Sequence, residues 1–157
     1  MRRLMKALLA VVVPAMLVTG VSTADATPQA PVPAAEVACT SFSNVWVGAS
    51  YYLHVPSTYW DSYNFNCVVV RGHHNVAVLA LQESLNACYY QGIAEDSDFG
   101  PNTEQAVRNA QIIINSYPTE PVVDEDGRFG PETSSHFEFQ AYDHSNNGHH
   151  EGWCDYR

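Results

Sequence analysis

Histidines and carboxylates are the side chains in this sequence most able to do chemistry. Its seven histidines include the pairs His73-His74 and His149-His150, with His136 and His144 between them. Carboxylates gather as Glu95, Asp96 and Asp98, and again as Asp124, Glu125 and Asp126. A zinc hydrolase needs tight spacing such as H-E-x-x-H, which sets two imidazoles on one helix face, and the chain contains no such run. A Ser-x-x-Lys nucleophile is excluded beyond the N-terminal leader, because Lys6 is the only lysine. Cys154, in GWCDYR, lacks the Ser-His-Gly context of a wall transpeptidase. DEDGRFGPE shares a fragment of an EF-hand loop without its ligand spacing. The carboxylates therefore read as solvated loops, with weak calcium capture as the alternative. No catalytic residue, metal or cofactor is expected.

Tyr89, Tyr90 and Gln91 close a helical run, and the plainer reading is one core and one exposed tyrosine. Arg108 and Arg128 read plainly as ordinary surface ion pairs. Asp98 and Asp126 read mainly as residues that orient their turns.

Those turns are nearly the same sequence written twice. DFGPNT covers Asp98, Phe99, Gly100, Pro101 and Thr103; RFGPET, after Asp126-Gly127, covers Phe129, Gly130, Pro131 and Thr133. Proline suits the first helical position, where its missing N–H costs nothing. Glycine then falls at the N-cap, and the phenylalanine before it can pack onto the next turn. Threonine in the first turn can reach back to a free N–H. Each copy reads as a device that starts a helix at a fixed angle.

The elements around the turns follow from periodicity. Val78, Leu81, Leu85 and Cys88 form one apolar helical stripe. A second helix is expected over 101–115, with Thr103, Ala106, Val107, Ala110 and Ile114 on one face. A third is expected over 131–142, burying Phe137 and Tyr142. Residues 37–72 hold eight of the eighteen aromatics and several short β-prone runs, and read as an irregular or hairpin-like region. Residues 145–157 read as a polar tail held by Cys154.

The order V-x-x-L-Q-x-x-L (Val78, Leu81, Gln82, Leu85), then Asp98 to Gln111, then Asp126 to Thr133 resembles the three-helix peptidoglycan-binding domain family. The resemblance spans about 72–143 and places both turns inside one module. It implies a mainly α fold: a small three-helix bundle over 73–144, with the aromatic-rich irregular or hairpin region beside it and disulfides as staples. It also implies peptidoglycan as the ligand, whose sugars favour flat aromatic faces and amide hydrogen bonds and whose peptide carboxylates favour the fork of an arginine. On that implication Tyr89, Tyr90 and Gln91 are candidate sugar contacts, and Arg108 and Arg128 candidate carboxylate partners. Departures from the family pattern are the absence of glycine before Asp98, a long first loop, Ala110 in place of an aromatic before Gln111, and a long linker between the copies. The second copy keeps its aromatic as Phe139-Gln140.

Export is expected from the N-terminus. MRRLMK, an apolar run and Ala24-Asp25-Ala26 read as a signal peptide over 1–26. A membrane anchor is the alternative, but the apolar run is about 15 residues against the roughly 20 that span a bilayer. A Pro/Ala linker, 27–36, follows. Cleavage removes Arg2, Arg3, Lys6 and Asp25, leaving four basic and sixteen acidic side chains, a formal net charge of −12. That balance argues against nucleic acid and anionic membranes as partners. Cys39, Cys67, Cys88 and Cys154 imply two disulfides in an exported chain. Three pairings are open; the expectation carried forward is Cys67–Cys88 with Cys39–Cys154. The readings are a secreted, monomeric, non-catalytic wall-binding module; a secreted interaction or inhibitor protein using residues 37–72; and a metal-dependent wall hydrolase. An open groove beside the first helix favours the first, and a groove filled by residues 37–72 the second.

Overall fold

The computed structural model describes residues 36–157; the leader over 1–26 and nearly all of the Pro/Ala segment lie outside the described residues. Within that span the chain runs β1 (Ser41–Trp46), β2 (Tyr51–Ser57), α1 (Val76–Tyr89), α2 (Pro101–Asn115), α3 (Pro131–Ser135), β3 (Glu138–Asp143) and β4 (His149–Tyr156). The strands form one antiparallel sheet in the order β1-β2-β3-β4.

The first two helices lie where periodicity put them. Asn75 caps α1, its Oδ1 accepting from the N–H groups of Ala77 at 3.0 Å and Val78 at 3.2 Å. Val78, Leu81 and Leu85 are fully buried. In α2, Gly100 is the N-cap, Pro101 follows it in the first turn, and Thr103, Ala106, Val107, Ala110 and Ile114 are buried.

The expected mainly α bundle is not formed. The third helix stops at Ser135, and the chain continues as β3. Phe137, Phe139 and Ala141 alternate in sequence and are all fully buried. That is a strand's period of two, not a helix's 3.6. The C-terminal segment is no loose tail: β4 pairs with β3 from Glu138↔Tyr156 to Asp143↔His149. Gln140↔Cys154 and Tyr142↔His150 leave extra residues in β4, where Gly152 takes φ +72°. A positive φ at such an irregularity is glycine's role.

The sheet opens to admit α1. Strands β2 and β3 pair only from Tyr51↔Asp143 to Leu53↔Ala141. Beyond that point the N–H of Gln140 finds Ser84 Oγ of α1 at 3.3 Å, so a helix side chain satisfies a strand group that β2 does not reach. Within the paired stretch the Tyr142 hydroxyl donates to Glu83 of α1 at 2.7 Å.

The disulfides also differ from the expected pairing. They join Cys39 to Cys67 and Cys88 to Cys154, the latter fastening β4 to the C-terminal end of α1. Periodicity could not foresee this, because β4 must first lie against β3 to bring Cys154 near α1. Replacing Cys88 and Cys154 with alanine removes a link across 66 residues, against 28 for the other pair. Loop-closure entropy then predicts a loss of about 4.4 kcal/mol against about 3.6 kcal/mol. Urea unfolding measures both. Hydrogen exchange should show the larger local loosening in β3 and β4 for the Cys88/Cys154 variant.

Candidate functional site

The two turns are built around two buried glutamines, one from each preceding helix. Gln82 of α1 donates to Asp96 Oδ1 at 2.9 Å, the Asp98 carbonyl at 3.1 Å and Thr103 Oγ1 at 3.2 Å, and accepts from the Ser97 N–H at 2.9 Å. Gln111 of α2 repeats the pattern: Asp126 Oδ1 at 3.1 Å, the Arg128 carbonyl at 2.9 Å, Thr133 Oγ1 at 3.1 Å and the Gly127 N–H at 2.8 Å. One turn further along each helix an asparagine does similar work. Asn86 binds the backbone of Ile93 and the Glu95 carboxylate; Asn115 binds Val122, Val123 and Glu125. Phe99 and Phe129 are buried beneath the turns.

This pairing corrects the alignment of the first turn. Asp126 corresponds to Asp96, not Asp98: each accepts the N–H two residues on, at 3.0 Å from Asp98 and 2.8 Å from Arg128. Ser97 therefore occupies the glycine position, at φ +64°, as Gly127 does at +76°. Thr103 and Thr133 do not reach a free N–H; neither helix has a side-chain cap bond, and both hydroxyls donate to a turn carbonyl instead. The backbone N–H and carbonyl groups of Phe129 are tied to Val69, and those of Phe99 to His73 and Gly72. Gln140, the sequence counterpart of Gln111, clamps no turn and lies in β3.

The proposed contact residues separate. Tyr89 is buried, and its hydroxyl accepts from the Glu138 N–H at 2.9 Å; burial raises its pKa well above the ordinary tyrosine value. Tyr90 is 89 % exposed, in the left-handed conformation that ends α1. Gln91 bridges the Tyr89 carbonyl and Asn109. Arg108 donates to the Asp126 carbonyl at 3.0 Å, and Arg128 pairs with Glu36. Both arginines are thus engaged within the protein.

Of these, only Tyr89 lines a groove of about 750 Å³ between the ends of α1 and α2 and the start of β3. Ile113, Tyr117 and Pro118 come from the end of α2, Ser135, His136 and Glu138 from the α3–β3 junction, and Tyr156 from β4. Tyr117 is 85 % exposed and Tyr156 54 %. Burial, then the Glu138 carboxylate, raises the Tyr156 pKa. No residue of 37–72 lines the groove; that segment builds β1 and β2. Sequence reasoning missed the groove because Tyr156 and Glu138 reach it only through the unexpected strands. Among the described residues no group of three or more His, Cys, Asp or Glu could hold a metal ion.

Two measurements test the turns. Exchanging Ser97→Gly removes a left-handed serine and should stabilise by up to about 1 kcal/mol. Gly127→Ala should destabilise by more, because a Cβ there would meet Glu104 Cγ at 2.8 Å and its carbonyl oxygen at 2.9 Å. Thermal unfolding should show shifts of opposite sign. Asp96, in turn, is held below its ordinary pKa, first by the Asp98 N–H and then by Gln82. Its contribution is present above the unfolded-state value and lost as pH falls through the depressed folded one, so wild type weakens below about pH 4. Asp96→Asn should flatten that acid limb in urea midpoints measured from neutral pH downwards.

Comparison with known proteins gives one positive result. Residues 74–112 match a family model described as a putative peptidoglycan binding domain. No curated protein and no solved structure matches. The matched stretch is α1, the first clamped turn and α2 as far as Ile112. The likeness to that family model is therefore carried by these elements, and not by the sheet or the second turn.

Proposed function

We propose that this protein is a secreted, non-catalytic module that holds bacterial cell-wall peptidoglycan. The observation that carries the reading is the family match over residues 74–112. The groove beside it gives a physical means. Tyr117 and Tyr156 offer aromatic faces, Ile113 and Val122 apolar surface, and Ser135, His136 and Glu138 hydrogen-bonding groups. Such a mixture suits a sugar ring with amide substituents, whose C–H faces pack on aromatics while its polar edges pair. Two disulfides and the leader sequence support an extracellular setting.

The mature protein should sediment with insoluble peptidoglycan, and Tyr117→Ala should reduce retention about five-fold or more, the loss expected when one exposed aromatic contact is removed. The acidic chain meets an anionic wall, so retention should improve as salt is raised from low ionic strength. Sedimentation no better than that of an unrelated acidic protein overturns the reading.

A further inference from the structure

A second aromatic surface lies on the sheet, among residues outside the family match. Phe42, Asn44 and Trp46 alternate along β1 on the face opposite the buried Ser43, and register sets Asn44 against His54 and Trp46 against Tyr52. The rings touch in sequence. Trp60 lies 4.8 Å from Phe42, Phe42 4.1 Å from His54, and Tyr52 5.5 Å from Trp46 by ring centroids. Tyr142 stacks on both His54 and Tyr52, and joins the two halves of the strip. The strip ends in two exposed indoles, Trp60 at 57 % and Trp46 at 49 %. The four strand rises from Phe42 to Trp46 span roughly 13 Å, more than one pyranose ring.

The surroundings select among ligands. Stacking on aromatic rings also serves single-stranded nucleic acid, but that needs a cationic groove. All four arginines of the described residues are engaged elsewhere: Arg71 with Glu104, Arg108 with Asp126, Arg128 with Glu36 and Arg157 with Ser134. Asp61 and Glu83 border the strip instead, bonded to the Asn44 N–H and the Tyr142 hydroxyl. A polyanion is therefore repelled, and a neutral polymer is not. Within the strip, Asn44 Oδ1 is buried with no hydrogen-bond partner. Turning its amide about the soft χ2 torsion would present a donor and an acceptor to sugar hydroxyls.

We infer that the outer face of β1 and β2, with Trp60, is a binding platform for a neutral glycan chain, on which Trp46 and Trp60 stack separate sugar rings. The platform is distinct from the groove and stands whether or not the groove holds peptidoglycan. Aromatic faces carry a negative quadrupole that attracts the C–H face of a pyranose, and a strip of rings engages several units with little loss of side-chain freedom.

The test is titration of the mature protein with N-acetylated chitotetraose, a neutral four-sugar probe, followed by tryptophan fluorescence and calorimetry. Wild type should bind, and Trp46→Ala and Trp60→Ala should each weaken binding about tenfold, the effect of removing one stacked ring. Both indoles are exposed, so circular dichroism should confirm that the variants fold; Trp46→Phe should restore part of the affinity. Because the groove also suits N-acetylated sugars, the titration is repeated in a Tyr117→Ala background, where the tenfold loss on Trp46→Ala should persist; that separates this platform from the peptidoglycan reading. Three results would overturn the inference: no binding by wild type, equal binding by the tryptophan variants, or preference for a single-stranded oligonucleotide. Self-association that Trp46→Ala abolishes, without glycan binding, would assign the face to a second copy of the chain and overturn it too.

Discussion

Two buried primary amides hold this architecture together. Gln82 and Gln111 each make four hydrogen bonds to the turn that follows their helix. An interior site cannot leave a carbonyl or N–H unpaired without a cost of about 1–3 kcal/mol each. Every group in the clamp therefore depends on the others, and the turn has one permitted shape. From that shape follow the positions of Phe99 and Phe129 in the core, the directions of α2 and α3, and the links from the turns to residues 69–73. The repeated sequence is a repeated solution to one problem: how to leave a helix, cross a loop and start the next helix without burying an unsatisfied group.

The sheet adds to this helical core one side of the groove and a separate strip of aromatic rings. Because α3 is short, β3 already begins at Glu138, which lines the groove with residues from the ends of α1 and α2. The groove remains open there, and Cys88–Cys154 brings Tyr156 to its rim. On the other side, β1 and β2 bury Ser43, Leu53 and Val55 and turn Phe42, Trp46, Tyr52 and His54 outward. The same alternation that supplies core residues supplies the aromatic strip.

Much of the helical half was legible. Apolar stripes located α1 and α2, and the Gly-Pro pairs located their neighbours' starts, because these are local effects of backbone sterics and period. The turn chemistry was legible in kind but not in register: Asp96-Ser97 hid as the counterpart of Asp126-Gly127, since serine rarely adopts a left-handed backbone. The expected third helix failed for a different reason. The helix-starting turn at Gly130-Pro131 and the family likeness both pointed to continued helix, whereas the burial of Phe137, Phe139 and Ala141 follows a strand's period.

The sequence by itself determined the two principal helices, the two turns that follow them, the acidic balance and the presence of enough cysteine for two bridges. These depend on neighbours within a few residues, so they can be read along the chain. Tertiary structure decided that residues 138–143 are a strand, that the last eight-residue strand has a partner, which cysteines meet, and where Tyr117 and Tyr156 converge. Each of those depends on surface buried between segments far apart in sequence. A half-formed strand has no hydrogen bonds of its own to declare it; β3 exists because β2, β4 and α1 are there to receive its backbone groups.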